Sequence, residues 1–130
     1  MHGPDMFNFL LVALGGAFGA AARYGVSLAL PTREGGWPLA TFLINVSGSF
    51  LIGVLAAWLA TRDATGEPMR LLLGVGVLGG FTTFSAYSLE TMRMIERSDF
   101  VGASTYAIGS VIAGLIAVGL GLFLARRVFA

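Results

Sequence analysis

Residues 71–85 read LLLGVGVLGGFTTFS and decide the fold of this chain, because an apolar helical start is followed by a run that resists helix. The part from Leu71 to Leu78 predicts a helix, and residues 79–83 then bring two glycines and two threonines. Glycine and β-branched threonine both weaken a regular helix. We therefore expect a helix that is interrupted near the middle of this stretch.

The composition around this stretch is that of a membrane protein. Of the 130 residues, 56% are hydrophobic and 12% are charged, against roughly 25% charged residues in an average soluble domain. A helix needs about 20 apolar residues to cross a bilayer. Four stretches reach that length, at residues 6–30, 37–60, 71–95 and 101–124. We expect an all-α membrane protein, a single transmembrane domain over residues 1–130, with four transmembrane helices in the lipid bilayer and the third broken in mid-membrane.

The rarity of reactive side chains excludes several classes of function. A formal net charge of +1 argues against a nucleic-acid partner. The chain has no cysteine and a single histidine, His2, so no set of nucleophile, base and orienting group can be assembled from Cys and His. We expect no enzyme.

The eight arginines are divided evenly between the two sides of the membrane if the spans alternate. One side holds Arg62, Arg70, Arg126 and Arg127, and the other holds Arg23, Arg33, Arg93 and Arg97. Arginine and lysine normally set orientation by accumulating on the cytoplasmic side. An even count leaves two possibilities: insertion in both orientations with antiparallel pairing, or one orientation fixed by local context.

Polar side chains form one stripe on each of two spans. Thr41, Asn45 and Ser49 are four residues apart and share a helix face, and Tyr106 and Ser110 repeat this spacing in the fourth span. Such stripes either join helices or line a hydrated pathway. Because they offer hydroxyl and amide donors without an acid, they suit an anion better than a cation.

The predicted break in the third span has two interpretations. A break frees backbone carbonyls, which a membrane tolerates only where protein, water or an ion satisfies them. The carbonyls near Gly79 and Thr82 are therefore oxygen ligands of the kind that suits a hard metal ion. The alternative is a kinked helix whose hydroxyls bond back to its own carbonyls.

Aromatic and charged residues flank the break. Phe84 and Tyr87 are three residues apart, which is typical of core packing, but an aromatic edge carries partial positive charge that can hold a small anion weakly. We interpret Glu90 as part of a solvated helix end. Arg23 in the first span either extends to the interface or raises the local anion concentration at a vestibule.

Taken together, these motifs resemble one family, the Fluc (CrcB) fluoride channels. GGAFGAAARY at residues 15–24 is similar to the family's GGxxGAxxRY, and NVSGSFLIG at residues 45–53 is similar to NxxGxFxxG. GGFTTFS at residues 79–85 is similar to GGxTTFS, and the fourth span keeps the spacing of the family's polar track. The resemblance covers nearly the whole chain in the right order.

The resemblance implies a dual-topology antiparallel homodimer in the cell inner membrane, with two pores that export fluoride passively and relieve its toxicity. It implies a structural sodium ion, Na+, at the dimer centre, held by the main-chain carbonyls of Gly79 and Thr82 from both subunits. The residues that it assigns to the fluoride pathway are Arg23, Thr41, Asn45, Phe84, Ser85, Tyr87, Tyr106 and Ser110.

This sequence departs from the family pattern at two positions. Tyr87 stands where the family commonly has a second phenylalanine, and Gly114 replaces a serine or threonine of the polar track.

Two other functions remain as alternatives. A small multidrug-type transporter would need a carboxylate within the membrane, and residues 6–30 contain none. A non-transporting assembly subunit would use the polar stripes to join helices.

Overall fold

The computed structural model describes residues 3–129 and is all-helical over that range. We number its longer helical segments α1 to α5, ignoring a short turn of 3-10 helix at Ala64–Gly66. They are α1 at Gly3–Ala29, α2 at Leu39–Leu59, α3 at residues 67–81, α4 at Phe84–Glu96 and α5 at Phe100–Phe129. Four stretches are long and apolar enough to cross a membrane, namely Asp5–Ala29, Leu39–Leu59, Ala64–Glu96 and Phe100–Phe129. The prediction of four helices long and apolar enough to cross a membrane is confirmed, and most helix ends lie within a few residues of the predicted ones.

The third span is broken at Thr82 and Thr83, within the run that predicts a break. Thr82 has φ −79° and ψ 155°, and Thr83 has φ −150° and ψ 116°, so both are extended. The Thr83 hydroxyl then accepts a hydrogen bond from the Ala86 N–H at 3.1 Å and so caps the start of α4. The span therefore consists of two helices, α3 and α4, that meet at an extended pair of residues.

Most of α3 is wider than an ordinary α-helix. Residues Arg70–Leu78 form a π-helix, between α-helical turns at Glu67–Met69 and Gly79–Phe81. The sequence predicts a helix here but not its wider turns. Most π-helix occurs as single turns within α-helices, frequently at functional sites, so a run of nine residues is unusual.

One face of α3 packs against α1 through glycines. A Cβ added to Gly15 would lie 2.9 Å from the Cα of Gly76, and one added to Gly80 would lie 3.1 Å from the Cα of Gly16. Small residues allow such close backbone approach in a membrane, where packing replaces the hydrophobic effect. This face of the broken span is therefore closed by α1.

The remaining two spans, α2 and α5, pack against each other in the same way. A Cβ added to Gly53 would lie 3.0 Å from the backbone nitrogen of Leu122, and one added to Gly121 would lie 3.0 Å from that of Val54. The α2–α5 pair also packs against the broken span, and residues of both helices line the cavity described next.

Candidate functional site

A cavity of about 460 Å³, open on one side, lies between the break and the α2–α5 pair. We call it the break cavity. It brings together residues from four helices and from the extended pair between α3 and α4. The predicted site residues that line it are Asn45, Gly79, Thr82, Phe84, Tyr87 and Ser110.

Asn45 joins α2 to the break through two hydrogen bonds. Its amide nitrogen donates to the Thr83 carbonyl at 3.0 Å, and its amide oxygen accepts from the Thr83 N–H at 2.8 Å. The side chain thereby replaces the helical partners that the extended Thr83 has lost. An amide nitrogen carries two hydrogens, and residues 3–129 supply a partner to one of them. Asn45 thus joins α2 to the break and keeps one amide hydrogen that has no partner within residues 3–129.

The break removes the usual partners of two carbonyls. In an α-helix the N–H of residue 83 would bond to the Gly79 carbonyl, and that of residue 86 to the Thr82 carbonyl. Here the Thr83 N–H donates to Asn45, and the Ala86 N–H donates to the Thr83 hydroxyl. Both carbonyls predicted as cation ligands are therefore free of their helical donors.

These carbonyls fit a cation bound by main-chain oxygen. Among residues 3–129 there is no group of three or more His, Cys, Asp or Glu side chains that could hold a metal ion. The back-bonded arrangement is also present, because the Thr82 hydroxyl donates to the Leu78 carbonyl at 2.9 Å. That bond engages neither the Gly79 nor the Thr82 carbonyl, so the two interpretations of the break are compatible.

Arg23 reaches the break from α1. Its Nε donates to the Gly80 carbonyl at 3.1 Å, and the side chain is partly buried. The guanidinium therefore contacts the backbone between the two predicted cation ligands, Gly79 and Thr82.

The aromatic residues form a row that begins at the break. The rings of Phe84 and Tyr87 are 5.6 Å apart between centroids, and those of Tyr87 and Tyr106 are 5.4 Å apart. The Tyr87 hydroxyl donates to the Ala107 carbonyl on α5 at 2.7 Å. The Phe84 side chain is 78% exposed in the single chain. Phe84 is thus free toward the cavity, while Tyr87 is fixed between two helices.

Two serines line the break cavity, and their hydroxyls differ in whether they have a hydrogen-bond partner. The Ser49 hydroxyl donates to the Asn45 carbonyl, four residues earlier, at 2.7 Å. The Ser110 Oγ is buried and has no hydrogen-bond partner within the described chain. Gly114 faces Ser49, because a Cβ added there would lie 3.5 Å from the Ser49 Oγ. Of these two hydroxyls, that of Ser110 is therefore the one that is free to donate a hydrogen bond.

The interpretation of Glu90 as part of a solvated helix end is wrong. Its Oε1 accepts from the Thr41 hydroxyl at 2.8 Å, and its Oε2 accepts from the Tyr106 hydroxyl at 2.7 Å. Thr41 is 8% exposed and Tyr106 is 0% exposed. We call these three residues the Glu90 cluster. The polar stripes on α2 and α5 therefore meet an acid, which the sequence analysis did not assign to the site.

A signal for Glu90 was present in the sequence. It follows Tyr87 by three residues, and residues three or four apart on a helix lie on the same face. An acid on the face that carries a site residue is a candidate for the site. The separation of Thr41 and Tyr106 from the break cavity follows from the same contacts, since their hydroxyls are directed at Glu90.

Ser85 also lies apart from the break cavity. Its hydroxyl is 3.2 Å from that of Thr83, and the residue is exposed. The structure thus gathers most of the predicted residues in one cavity, places Thr41 and Tyr106 in the Glu90 cluster, and places Arg23 and Ser85 at the edge of the break.

Comparison with known proteins identifies the family. Residues 10–122 match the model of the CrcB-like protein, Camphor Resistance (CrcB) family. A protein of Phenylobacterium zucineum (strain HLK1) named fluoride-specific ion channel FluC is 56% identical over 127 residues, covering 96% of this chain and 100% of the relative. A protein of the same name from Caulobacter sp. (strain K31) is 53% identical over 126 residues, covering 95% and 98%. These matches confirm the resemblance found in the sequence motifs, and the chain belongs to the CrcB-like family.

Proposed function

We propose that this chain forms a fluoride-selective channel, which exports fluoride passively across the cell inner membrane and reduces its toxicity. Relatives that are 53% and 56% identical to this chain, matched over nearly their full length, are named fluoride-specific ion channel FluC. The structural observation that carries the proposal is the break cavity, where the buried Ser110 hydroxyl has no partner within the described chain and the exposed Phe84 ring lies at the same cavity.

The break cavity suits a small anion because its donors are polar but uncharged. The Ser110 hydroxyl and the second amide hydrogen of Asn45 are free to donate, and the edge of the Phe84 ring carries partial positive charge. Conduction needs binding that is favourable enough for entry and weak enough for release. None of the side chains that line the cavity is charged, which keeps the binding of fluoride by these donors weak.

The Glu90 cluster lies further along the same polar stripes. Fluoride that reaches Thr41 or Tyr106 must compete with the Glu90 carboxylate for their hydroxyl protons. We place these two residues at one end of the pathway. There each hydroxyl would exchange its hydrogen bond to the Glu90 carboxylate for one to fluoride. Arg23 and Ser85, at the edge of the break, belong to the approaches.

The decisive experiment measures fluoride efflux from liposomes that contain only the purified protein, with chloride as the comparison ion. We expect fluoride efflux far above that of protein-free liposomes, and chloride efflux at background. Folded protein that carries no fluoride would contradict the proposal. Fluoride efflux that depends on a proton gradient would favour a proton-coupled transporter, for which Glu90 is the available carboxylate.

The functional unit that we propose is an antiparallel homodimer with dual topology. The even division of arginines supports it, as does the open side of the break cavity next to a largely exposed Phe84. A second copy would cover this opening.

The chain has no cysteine, so an Ala64→Cys variant offers a single thiol on an exposed loop. A membrane-impermeant maleimide should label about half of it from each side in cells, whereas labelling from one side alone would exclude dual topology.

We also propose that the Gly79 and Thr82 carbonyls hold a structural sodium ion that is not transported. Two carbonyls from each copy would supply four oxygen ligands at a two-fold axis. When bound, the ion supplies a positive charge that satisfies carbonyls deprived of their helical donors. Replacement of sodium by a larger organic cation should promote dissociation of the dimer. An unchanged dimer and unchanged flux would count against the site.

A further inference from the structure

The Tyr87 hydroxyl occupies a carbonyl that is already part of a helix. It donates to the Ala107 carbonyl at 2.7 Å, and Ala107 lies within α5, which spans Phe100–Phe129. Inside a helix this carbonyl accepts the N–H of the residue four positions later, here Val111. A carbonyl oxygen has two lone pairs. The phenol therefore takes the second acceptor position of Ala107.

Several serine and threonine hydroxyls of this chain bond back to a carbonyl three or four residues earlier. The hydroxyls of Ser27, Ser49, Thr82 and Thr91 donate to the carbonyl four residues earlier, and those of Ser47 and Thr105 to the carbonyl three residues earlier. Such bonds are common for these residues in helices. The Ser110 Oγ is buried and departs from this pattern, because it has no partner among the described residues.

Ala107 lies three residues before Ser110 and Tyr106 lies four before it, so their carbonyls are the two that a back-bonding Ser110 hydroxyl would use. The Tyr87 hydroxyl occupies the Ala107 carbonyl, and the Ser110 Oγ does not bond to the Tyr106 carbonyl either. Both Tyr87 and Ser110 line the break cavity. The phenol and the unpartnered serine are therefore two parts of one arrangement on the surface where we place the ion.

We propose that Tyr87 is a positioning residue for fluoride, and that its hydroxyl keeps the Ser110 hydroxyl available as a donor by occupying the Ala107 carbonyl. The proton of Ser110 is then directed into the cavity and bonds to fluoride there. This inference rests on the proposed fluoride channel. It gives the hydroxyl of Tyr87 a role that a phenylalanine at this position could not fill.

The test is a double-mutant cycle on fluoride efflux from liposomes, with the variants Tyr87→Phe, Ser110→Ala and the two combined. Loss of one hydrogen bond to the ion should raise the half-saturating fluoride concentration about tenfold in Ser110→Ala. Tyr87→Phe should raise it several-fold, by about threefold to tenfold. If the phenol acts through Ser110, the combined variant equals Ser110→Ala alone. Effects that multiply, or a Tyr87→Phe variant with normal flux, would overturn the proposal.

Matched controls separate this role from packing. Tyr24→Phe removes a hydroxyl from a tyrosine that is 65% exposed on α1, and Ser104→Ala removes one from an exposed position on α5. Both should keep the fluoride dependence of the unaltered chain. The thermal unfolding of every variant is followed in parallel, so that a loss of folded protein is not taken for a loss of binding.

A crystal structure of Tyr87→Phe tests the exchange of hydrogen bonds without relying on transport. We expect the Ser110 Oγ to turn back and lie within about 3 Å of the Ala107 carbonyl oxygen. A Ser110 hydroxyl that stays without a partner in this variant would refute the positioning role. If the exchange is seen but the unaltered chain carries no fluoride, the proposed channel function fails and the contact between the two residues stands.

Discussion

The break cavity and the Glu90 cluster share the three helices α2, α4 and α5, but their hydroxyl donors have different partners. Thr41 precedes Asn45 by four residues on α2, and Tyr106 precedes Ser110 by four on α5, so the cluster lies about 6 Å further along both helices. In the cluster a carboxylate accepts both hydroxyls. In the cavity the Ser110 hydroxyl has no acceptor among the described residues. The comparison teaches that an anion site depends on donors left free, and that a polar stripe alone does not define one.

The largest effect that we expect comes from the ring at the open side of the cavity. Phe84→Ile removes the aromatic edge, and fluoride efflux should fall to that of protein-free liposomes. The side chain is 78% exposed in the single chain, so unfolding of the protein in detergent should be little changed.

Phe9→Ile is the matched control for this change, because Phe9 is 64% exposed on α1 and lies outside both sites. It should conduct normally. Undiminished efflux in Phe84→Ile would remove the ring from the mechanism and leave the hydroxyl and amide donors as the whole of the cavity's chemistry.

A second test asks whether Asn45 acts as helix glue or as a donor to the ion. Asn45→Asp keeps an acceptor for the Thr83 N–H but loses the donor to the Thr83 carbonyl and adds a negative charge. Like charges in such a site repel by several kcal/mol, so fluoride flux should fall by about a hundredfold or more. Asn45→Ala loses both hydrogen bonds to Thr83 but adds no charge, so it should retain more flux while unfolding more easily. Equal loss of flux in both variants would limit Asn45 to a structural role.

The fold was predictable from the sequence because two of its determinants are local. Uncharged length predicts the four spans, and the Gly79-Gly80 and Thr82-Thr83 run predicts the break. The π-helical turns of α3 were not predictable, because they accompany close packing against Gly15 and Gly16 of α1, which are distant in sequence. Propensity describes a residue and its neighbours, and it carries no information about a partner helix.

The site was predictable in its residue types but not in its hydrogen bonds. Stripes and motifs brought Asn45, Phe84 and Ser110 together correctly, because residues four apart share a face. They did not show that Asn45 bonds to Thr83 or that Ser110 is unpartnered. Those facts depend on which donors, from distant parts of the sequence, lie next to each acceptor in the folded chain. The misinterpretation of Glu90 has the same origin, since a carboxylate near a helix end is solvated unless another helix brings donors to it.

Mutation of the Glu90 cluster should change the free energy of unfolding of the protein. Glu90→Gln replaces one acceptor oxygen by an NH₂ group, so either Thr41 or Tyr106 loses its acceptor. Interhelical hydrogen bonds in membranes contribute about 0.6 kcal/mol on average and up to about 1.7 kcal/mol, and an unsatisfied buried donor costs about 1–3 kcal/mol. We expect Glu90→Gln to lower the free energy of unfolding by about 1–2 kcal/mol, within these ranges. The measurement is unfolding in detergent.

The double variant Thr41→Val/Glu90→Gln sharpens this prediction. Valine has the shape of threonine without the hydroxyl, so the amide oxygen can accept from Tyr106 while the amide NH₂ no longer has the Thr41 oxygen as an acceptor. Because both substitutions remove the same Thr41–Glu90 contact, the double variant should lose less stability than the sum of the two single effects. A double variant that loses the sum of the two single effects would show that Thr41 and Glu90 contribute independently, contrary to the 2.8 Å contact between them.

The smallest effect separates the two serines that share the break cavity. The proton of Ser49 is already used by the Asn45 carbonyl at 2.7 Å, whereas that of Ser110 has no acceptor within the described chain. Ser49→Ala therefore removes a hydroxyl that has no proton to offer an anion, and fluoride flux should change by no more than about twofold, since a back-bonded hydroxyl adds little to a helix. The two alanine variants remove the same atom from the same cavity, so liposome efflux measured side by side compares a used donor with a free one. If Ser49→Ala reduced efflux as much as Ser110→Ala, the position of a hydroxyl in the cavity would matter more than its freedom to donate, and the distinction between the break cavity and the Glu90 cluster would lose its physical basis.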